Sequence, residues 1–477
     1  MEVFPLSHTR WERFFTSPRF LLLTLGVELL IFIGFLVSLF LGDPQWGVVL
    51  LFIPFQLLLW AILFQEDFYI LLFFSFIFPL GHVELLPFPY HRYFLFPTTI
   101  LLLLSSIVTR LVSIEPSPSR RKELSTLIPF LLLILWVVIA GIHGTLRGWG
   151  SSKLMLFSIL WLEGLIMGYF FATIPKTLAE IKRLLWAMTT GVLLAFLALW
   201  FLFILPGGGN LFRGKLIETP FGILNLNTVG LFATTFTGIA FGLLLETQRM
   251  RTKLLLISGI FLMLLTLAFS GSRGAWLGLG VSLLYSVFTL RSFWLTLLAI
   301  GGGVFTFFIE PLRQVLLMRV TATTPDDPAL LGRLIFWNCA LRIFKDNWLW
   351  GIGAENFRFV KRHYGIVMPQ GESIRFHTHN IYLEILTDLG IVGFISFMWL
   401  LGGVFVGLHR VLGSEFKEGR GLALGLLAGL IAFFTHGLLD SFTWNYAAVA
   451  LLAALIGLAI ALRRKLLENL QEAKSSR

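Results

Sequence analysis

The sequence predicts an all-α, polytopic transmembrane helix bundle, and three observations carry this prediction. The chain of 477 residues is 57% hydrophobic and only 13% charged, whereas soluble domains carry about 25% charged residues. Apolar runs of roughly 20 residues recur along it, and each is long enough to cross a bilayer as a helix. The runs are continuous rather than alternating. Because lipid cannot satisfy unpaired backbone groups, such runs are expected to be helices.

Fourteen apolar segments are the candidate spans, and twelve or thirteen remain possible because the third is short and interrupted by proline. The first contains an apolar run that begins at Phe20. It is too long for the core of a cleaved signal peptide, so we expect it to be retained. The segments are 19–41, 46–64, 68–81, 94–112, 125–142, 153–173, 184–206, 224–246, 254–270, 275–290, 292–309, 381–408, 421–437 and 446–462.

Three regions follow from this division. Residues 1–309 form the first eleven spans with short loops, residues 310–380 form one long loop, and residues 381–477 form the C-terminal spans and a tail. On one side of the bundle, the termini and loops hold 22 of the 37 lysines and arginines, and the short loops opposite hold 6. Basic residues favour the cytoplasmic side, so both termini are expected in the cytoplasm and the long loop outside. The net charge of +11 therefore reflects topology, and no nucleic-acid partner is expected.

The long loop is predicted to contain an amphipathic helix. A structured loop of about 70 residues is unusual in an otherwise short-looped protein and is more often functional. Leu334, Trp337, Leu341, Phe344 and Trp348 follow one another at intervals of three and four residues, which makes one helical stripe. We expect this helix on or near the membrane surface, with its aromatic face toward lipid or toward the bundle.

Two arginines on the outer side are candidates for anion binding. Arg273 lies in "FSGSRGAWLG" at the outer end of a span, where it could extend to lipid headgroups. The small residues around it would also leave room for a large anionic group. Arg333 begins the amphipathic helix in "LLGRLIFW" and could simply be solvated. Two converging guanidinium groups would neutralise a diphosphate without a metal ion.

The stretch "RFHTHNIYLEIL" places two histidines directly before a long span. His377 and His379 are two residues apart, a spacing that does not put both on one helix face, and further ligand spacings for zinc are missing. No metal and no cofactor are therefore expected. Each histidine could be structural, but the ordinary histidine pKa of about 6.5 also suits a general base. Asn380 is placed to cap the following helix.

Polar pairs also occur within or at the ends of spans. Such groups are candidates for functional sites, yet hydrogen bonding between helices is their commoner use, and we favour packing or supporting roles. The pairs are Asn225 with Asn227, Glu384 with Asp388, and His436 with Asp440. The chain also lacks a Walker A pattern, which argues against an ATP-driven pump. Its single cysteine, Cys339, excludes an internal disulfide.

Three ordered motifs carry a resemblance to a known family. "GSRGAWLGL", "GRLIFWNCALRIFKDNWLWGIGAENF" and "HTHNIYLEILTDLGIVGF" resemble the O-antigen ligase and O-antigen polymerase superfamily, over roughly residues 220–440. The resemblance implies a GT-C-like bundle in the bacterial inner membrane, with the long loop and the site in the periplasm. It further implies transfer of a saccharide from an undecaprenyl-diphosphate-linked donor to an acceptor hydroxyl, with lipid A–core as the favoured acceptor. Members of this type act without metal, and direct attack by the hydroxyl would invert the anomeric centre.

The resemblance also implies roles for individual residues. Arg273 and Arg333 correspond to the arginines that hold the diphosphate, and His379 to the catalytic histidine. Weaker candidates for binding the donor or the acceptor are Arg375, His377, Asn227, Arg362 and Lys361.

Two rival functions remain open. A polymerase of the same superfamily would extend lipid-linked repeat units instead of transferring a finished chain. A transporter of lipid-linked saccharides would place basic residues along a path through the bundle. Here the candidate residues gather on the outer side, which favours an enzyme.

Overall fold

The computed structural model describes residues 67–79, 120–149, 152–204, 216–219, 222–292, 313, 317, 328–366, 377–413 and 418–475. Within them the chain is built mainly of helices. These are α1 (Asp67–Ile77), α2 (Arg120–Leu146), α3 (Ser152–Thr173), α4 (Leu178–Ile204), α5 (Leu226–Glu246), α6 (Met250–Ser270), α7 (Arg273–Leu290), α8 (Pro328–Asp346), α9 (Phe357–Val360), α10 (Ile381–Leu412), α11 (Arg420–His436) and α12 (Tyr446–Ser475). A 3-10 helix, Lys361–Tyr364, follows α9 directly.

The predicted class of a polytopic helical bundle is confirmed. Seven of the described helices are long and apolar enough to cross a membrane, and α11 and part of α3 are shorter apolar helices. Predicted spans that fall on described residues coincide with helices to within a few residues at most ends. The spans predicted at 19–41, 46–64, 94–112 and 292–309 lie outside the described residues, so the total of twelve to fourteen stays a prediction.

One short hairpin departs from the helical pattern. Strands β1 (Leu216–Thr219) and β2 (Gly222–Asn225) pair antiparallel immediately before α5. The sequence did not predict them, because four-residue strands are too short for a periodic signal to identify. The eighth predicted span began at residue 224, whereas α5 begins at Leu226. Asn225 ends the hairpin and caps α5, since its side chain accepts a hydrogen bond of 2.9 Å from the Asn227 amide.

Helix α5 lies at the centre of the bundle and approaches α11 closely. A Cβ atom added to Gly242 would lie 2.4 Å from the Gly421 carbonyl oxygen and 2.6 Å from the Gly425 Cα. Gly238 packs against Ala428 in the same way. Small residues let two backbones approach in lipid, where packing rather than hydrophobicity joins helices. The two helices therefore hold the start of α5 and the end of α11 in fixed register.

Helix α10 is interrupted, and the loop after α8 compensates for the interruption. Gly390 has a φ of 66°, which ends the helical hydrogen bonding locally. The carbonyl oxygens of Thr387 and Asp388 instead accept from the amides of Ile352 and Gly353, at 3.1 and 2.8 Å. An irregular backbone is tolerated within a membrane helix only where protein groups satisfy it. The loop is thus fixed against the first third of α10.

The predicted amphipathic helix is present as α8. Its packed face consists of Phe336, Cys339, Ala340 and Ile343, which join residues of α9 in a small separate core. The predicted stripe lies on the other face, where Leu341 is 51% exposed. Leu334 is 49% exposed as well, whereas Trp337 and Phe344 are half-buried. Contact of the stripe with lipid stays a prediction.

Candidate active site

The two histidines lie on a short segment that is tied to the loop after α11. The Ile381 amide donates to the Gly437 carbonyl at 2.8 Å, and the Asn380 side-chain amide donates to the Leu438 carbonyl at 3.1 Å. The Asn380 oxygen accepts from the amides of Tyr382 and Leu383, each at 3.0 Å, which confirms the predicted helix cap. These contacts bring residues 377–380 beside residues 437–441.

The centre of the site is a histidine–carboxylate pair. His379 Nδ1 lies 3.0 Å from Asp440 Oδ1, and His377 Nε2 lies 3.7 Å from the same oxygen. Asp440 is only 3% exposed. Its Oδ2 accepts from the Asn227 side-chain amide at 2.6 Å, and its Oδ1 accepts from the Ser441 backbone amide at 2.9 Å. The carboxylate is therefore fixed from three directions.

Electrostatics define the protonation of this pair. Burial would raise the pKa of Asp440, but the hydrogen bond from His379 and the charges of the nearby histidines lower that pKa below its ordinary value. Asp440 is thus a carboxylate at neutral pH and can only accept. Nδ1 of His379 must then carry the proton of the hydrogen bond to Asp440, which leaves Nε2 as the nitrogen that can accept a proton. This is the tautomer that a general base requires.

His377 has a different environment. Its ring is buried, and burial together with the charge of His379 lowers the pKa of His377 well below its ordinary value, despite the opposing effect of Asp440. The ring is therefore neutral at pH 7. It stands edge-on to the His379 ring, with centroids 4.4 Å apart. His379 is the more accessible of the two, since its side chain is 24% exposed against 7% for His377. A supporting role suits His377 better than direct binding of substrate.

Arg333 is anchored next to the carboxylate. Its Nε donates a hydrogen bond of 3.0 Å to the carbonyl of Leu439, the residue before Asp440. The side chain is half-buried. Phe336, one turn along α8, lies against the His379 ring with centroids 6.2 Å apart. Helix α8 thus carries Arg333 into the same group of residues as the histidine pair, as the sequence predicted.

Arg273 is the first residue of α7, where that helix meets the end of α11. Ser272 Oγ lies 3.2 Å from His436 Nε2. A Cβ atom added to Gly274 would lie 2.5 Å from His436 Cδ2. The small residues around Arg273 therefore serve close helix packing, and the interpretation that they leave room for an anion is wrong for Gly274. Arg273 itself is half-buried. Its chain neighbours Ser272 and Gly274 contact His436, which lies four residues before Asp440.

The other predicted site residues have different positions. Asn227 donates to Asp440 and can therefore orient that carboxylate. Its predicted role was in substrate binding. Arg362 is exposed in the 3-10 helix after α9, and Arg375 lies outside the described residues. Lys361 is fully buried, with its ammonium nitrogen 5.3 Å from the centre of the Phe336 ring. Burial lowers the pKa of Lys361 to about 8. A phosphate-binding role for Lys361, suggested by its place in the outer loop, does not fit this position.

Two groups of side chains could hold a metal ion within the described residues. His377, His379 and Asp440 form one group, and three buried carboxylates form the other: Glu355, Glu384 and Asp388. The spacing argument against a metal at the histidines assumed a helix. It fails here, because residues 377–380 precede α10 and both rings reach Asp440. The expectation of a metal-free reaction therefore depends on the family resemblance and on a direct test.

The fold and site define a polytopic membrane protein with a histidine–carboxylate pair and two candidate anion-binding arginines at one end of its bundle. Residues 258–398 match a family model described as O-antigen ligase. A protein of Rickettsia conorii (strain ATCC VR-613 / Malish 7), whose name describes it provisionally as a polysaccharide ligase, is 25% identical over 272 residues. The alignment covers 54% of this chain and 62% of that relative, which is less than two thirds of its length. The resemblance to the O-antigen ligase superfamily is confirmed.

The matched segment contains Arg273, Arg333 and His379, but it ends before Asp440 and begins after Asn227. The carboxylate that orients the histidine, and the amide that orients the carboxylate, thus lie outside the part of the chain that the family model covers. The sequence favoured a packing or supporting role for Asp440 without indicating which residue it contacts. Its contact with His379 joins residues 61 positions apart, and a single sequence carries no signal for such a pairing.

Proposed function

We propose that this protein is a glycosyltransferase that moves a saccharide from an undecaprenyl-diphosphate-linked donor to an acceptor hydroxyl. The observation that carries the proposal is the His379–Asp440 pair, 3.0 Å apart, with Arg333 anchored on the neighbouring residue. This arrangement supplies a proton acceptor beside a cation, the two functions that the reaction needs. The family match favours saccharide transfer over the other reactions that such a pair could serve.

The proposed reaction is a single displacement. The acceptor oxygen attacks the anomeric carbon, a new C–O bond forms, and the bond from that carbon to the diphosphate oxygen breaks with its electron pair leaving on the diphosphate. The hydroxyl proton passes to His379 Nε2, either during attack or after the ring has oriented the hydroxyl. Arg273 and Arg333 neutralise the charge that develops on the leaving diphosphate. Attack from the face opposite the leaving group inverts the anomeric centre, and no metal ion takes part.

The favoured acceptor is lipid A–core, which makes the reaction O-antigen ligation. The uneven distribution of basic residues supports a multi-pass protein of the inner membrane, with both termini in the cytoplasm and the site facing the periplasm. In that setting Arg362 and Arg375 are placed in the outer loop, where they could bind phosphates of the donor or of the acceptor. Asn227 and His377 act through Asp440 and the His379 ring.

Substitution of the three central residues tests the proposal. Each of Arg273→Ala, Arg333→Ala and His379→Ala is assayed for transfer with purified protein, and Arg342→Ala serves as the control. Arg342 lies on the same helix as Arg333, but its side chain is exposed and donates to the Tyr364 carbonyl. Hydrogen bonds to charged groups contribute about 1.5–3 kcal/mol, so each arginine variant should lose about 10- to 150-fold in kcat/KM.

The histidine variant should lose more, on the order of 10²–10⁴-fold, as expected for removal of a general base. Near-normal transfer by His379→Ala would refute the base role. The products also separate the rival functions. A polymerase would lengthen the lipid-linked glycan in the absence of lipid A–core, and a transporter would form no glycosidic bond with any acceptor.

A further inference from the structure

A buried carboxylate holds the residue between the two histidines. The Thr378 backbone amide donates to Glu384 Oε2 at 2.8 Å. The Thr378 hydroxyl lies within hydrogen-bonding distance of the same Glu384 oxygen and of the Asn380 carbonyl oxygen, and its single proton donates to one of them at a time. Thr378 is fully buried and Glu384 is 1% exposed. The backbone amide and the hydroxyl of Thr378 thus both meet one oxygen of a buried side chain. The histidine segment is therefore attached at its middle to the first turn of α10.

The contact between Thr378 and Glu384 lies next to a residue with an unfavourable backbone conformation. His379 has a φ of 53°, a left-handed conformation that residues with a Cβ atom rarely adopt. Such a conformation persists only where surrounding contacts impose it. The Thr378 hydroxyl spans this residue, because it also accepts from the Asn380 amide at 3.3 Å. The backbone turn at His379 is thus closed by one hydroxyl that is itself fixed by Glu384.

Glu384 belongs to a cluster of buried ionisable side chains close to the histidine segment. Glu355 and Asp388 each offer an oxygen within 4.8 Å of those of Glu384. Arg358 Nη2 lies 2.5 Å from Glu355 Oε2, and the charge of Glu384 acts on the buried Lys361. The position also suits an acidic residue, since the first turn of a helix favours negative charge. Glu384 is therefore buried in a defined position, and its side chain can hold Thr378 in position through their hydrogen bonds.

We infer that Glu384 is a positioning residue for the proposed transfer. Through Thr378 it holds His379 in the left-handed conformation that directs Nδ1 toward Asp440. Within the described residues, the Glu384 side chain hydrogen-bonds to Thr378 and reaches His379 through that residue. This inference depends on the proposed function, because it assigns a purpose to the orientation of His379.

Isosteric replacement of the threonine tests the inference. Thr378→Val removes the hydroxyl but keeps the shape and the backbone amide, whereas Thr378→Ser keeps the hydroxyl. Small misplacement of a catalytic group costs up to about 100-fold in rate. We expect Thr378→Val to lower kcat about 10- to 100-fold while the donor KM stays within about twofold. Thr378→Ser should restore most of the rate.

Thr387→Val is the matched control. Thr387 is also buried, on the same helix, but its hydroxyl donates only to the Leu383 carbonyl within that helix. Its replacement should leave kcat unchanged. A wild-type kcat for Thr378→Val, or an equal loss in Thr387→Val, would overturn the inference. If His379→Ala retains activity, the proposed function fails instead, so the two failures are distinguishable.

Substitution of the carboxylate separates geometry from charge. The Glu384→Gln side chain keeps a carbonyl oxygen that can accept two hydrogen bonds. Positioning therefore predicts a kcat within about threefold of wild type for Glu384→Gln, and a large loss for Glu384→Ala. Melting temperatures in detergent identify a variant that fails to fold. If a Glu384 variant does not fold, the kcat values of Thr378→Val and Thr378→Ser test the inference instead. A loss in Glu384→Gln as large as in Glu384→Ala, with both folded, would contradict positioning by hydrogen bonding.

Discussion

The substitution Asp440→Asn gives a sharp test of how the histidine is prepared for catalysis. It keeps the size and shape of the side chain but removes its charge. In the native site the carboxylate accepts hydrogen bonds from His379 Nδ1, from the Asn227 side chain at 2.6 Å and from the Ser441 amide at 2.9 Å. Asparagine has one oxygen and one NH₂ group, and the NH₂ group cannot accept a hydrogen bond. The variant therefore cannot accept all three of these hydrogen bonds.

The expected effect follows from the bond to His379. A hydrogen bond to a charged group contributes about 1.5–3 kcal/mol, and 1.36 kcal/mol corresponds to a tenfold change in rate. Loss of the charge should therefore lower kcat by about 10- to 150-fold. The donor KM should change little, because the arginines proposed to bind the diphosphate are intact. A fall in kcat alone would mark a group that acts in the transition state.

Transfer is measured with purified protein in detergent, and kcat and donor KM are determined separately. Asp346→Asn is the control. Asp346 ends α8 in the same outer loop, is exposed, and accepts from the Tyr364 hydroxyl at 2.9 Å. The Asp346→Asn variant should transfer saccharide at the wild-type rate. Wild-type kcat in Asp440→Asn, or an equal loss in both variants, would refute the reasoning.

Three further predictions follow from the same geometry. Gly274→Ala, whose Cβ would lie 2.5 Å from a buried imidazole, should destabilise the protein by about 1–3 kcal/mol in thermal unfolding, whereas Gly280→Ala on the same helix meets no described atom within 4 Å and should not. Asn227→Ala should lower kcat about tenfold or more at constant donor KM, because it releases Asp440; a raised KM with unchanged kcat would support substrate binding instead. The pKa of His377 is lower in the folded protein than in the unfolded chain, so the unfolded chain binds a proton at His377 first as pH falls below about 6.5. The free energy of unfolding should therefore fall by up to about 1.4 kcal/mol for each pH unit below that value. His377→Gln should show a flatter dependence of melting temperature on pH.

Most of the helical framework could be predicted because lipid imposes it. A span needs about 20 apolar residues and helical hydrogen bonding, and both leave a continuous signal in the sequence. The break at Gly390 left no such signal, since a glycine within an apolar run is also common in unbroken membrane helices. The contacts of Ile352, Gly353 and Trp348 with the residues around that break show why the long loop stays fixed to the span.

The roles of the candidate site residues stay predictions, but the structure shows which of these residues lie together and why the sequence could not indicate the other contacts. Arg273, Arg333 and His379 carry chemistry that a sequence motif displays, and the structure brings Arg333 and His379 into one group with Asp440. The partner of His379 could not be predicted, because the contact depends on how α10 and α11 pack. The same is true of Lys361, whose place in a charged outer loop gave no indication of its complete burial.

Turnover without metal or nucleotide tests the central claim most directly. The purified protein is incubated in detergent with undecaprenyl-diphosphate-linked glycan and lipid A–core, in the presence of EDTA and without ATP, beside His379→Ala. The account predicts that the wild-type protein forms glycosylated lipid A–core and that the variant forms at least about 100-fold less. Product that disappears with EDTA and returns with added metal would contradict the metal-free mechanism, and equal product from the variant would contradict the role of His379.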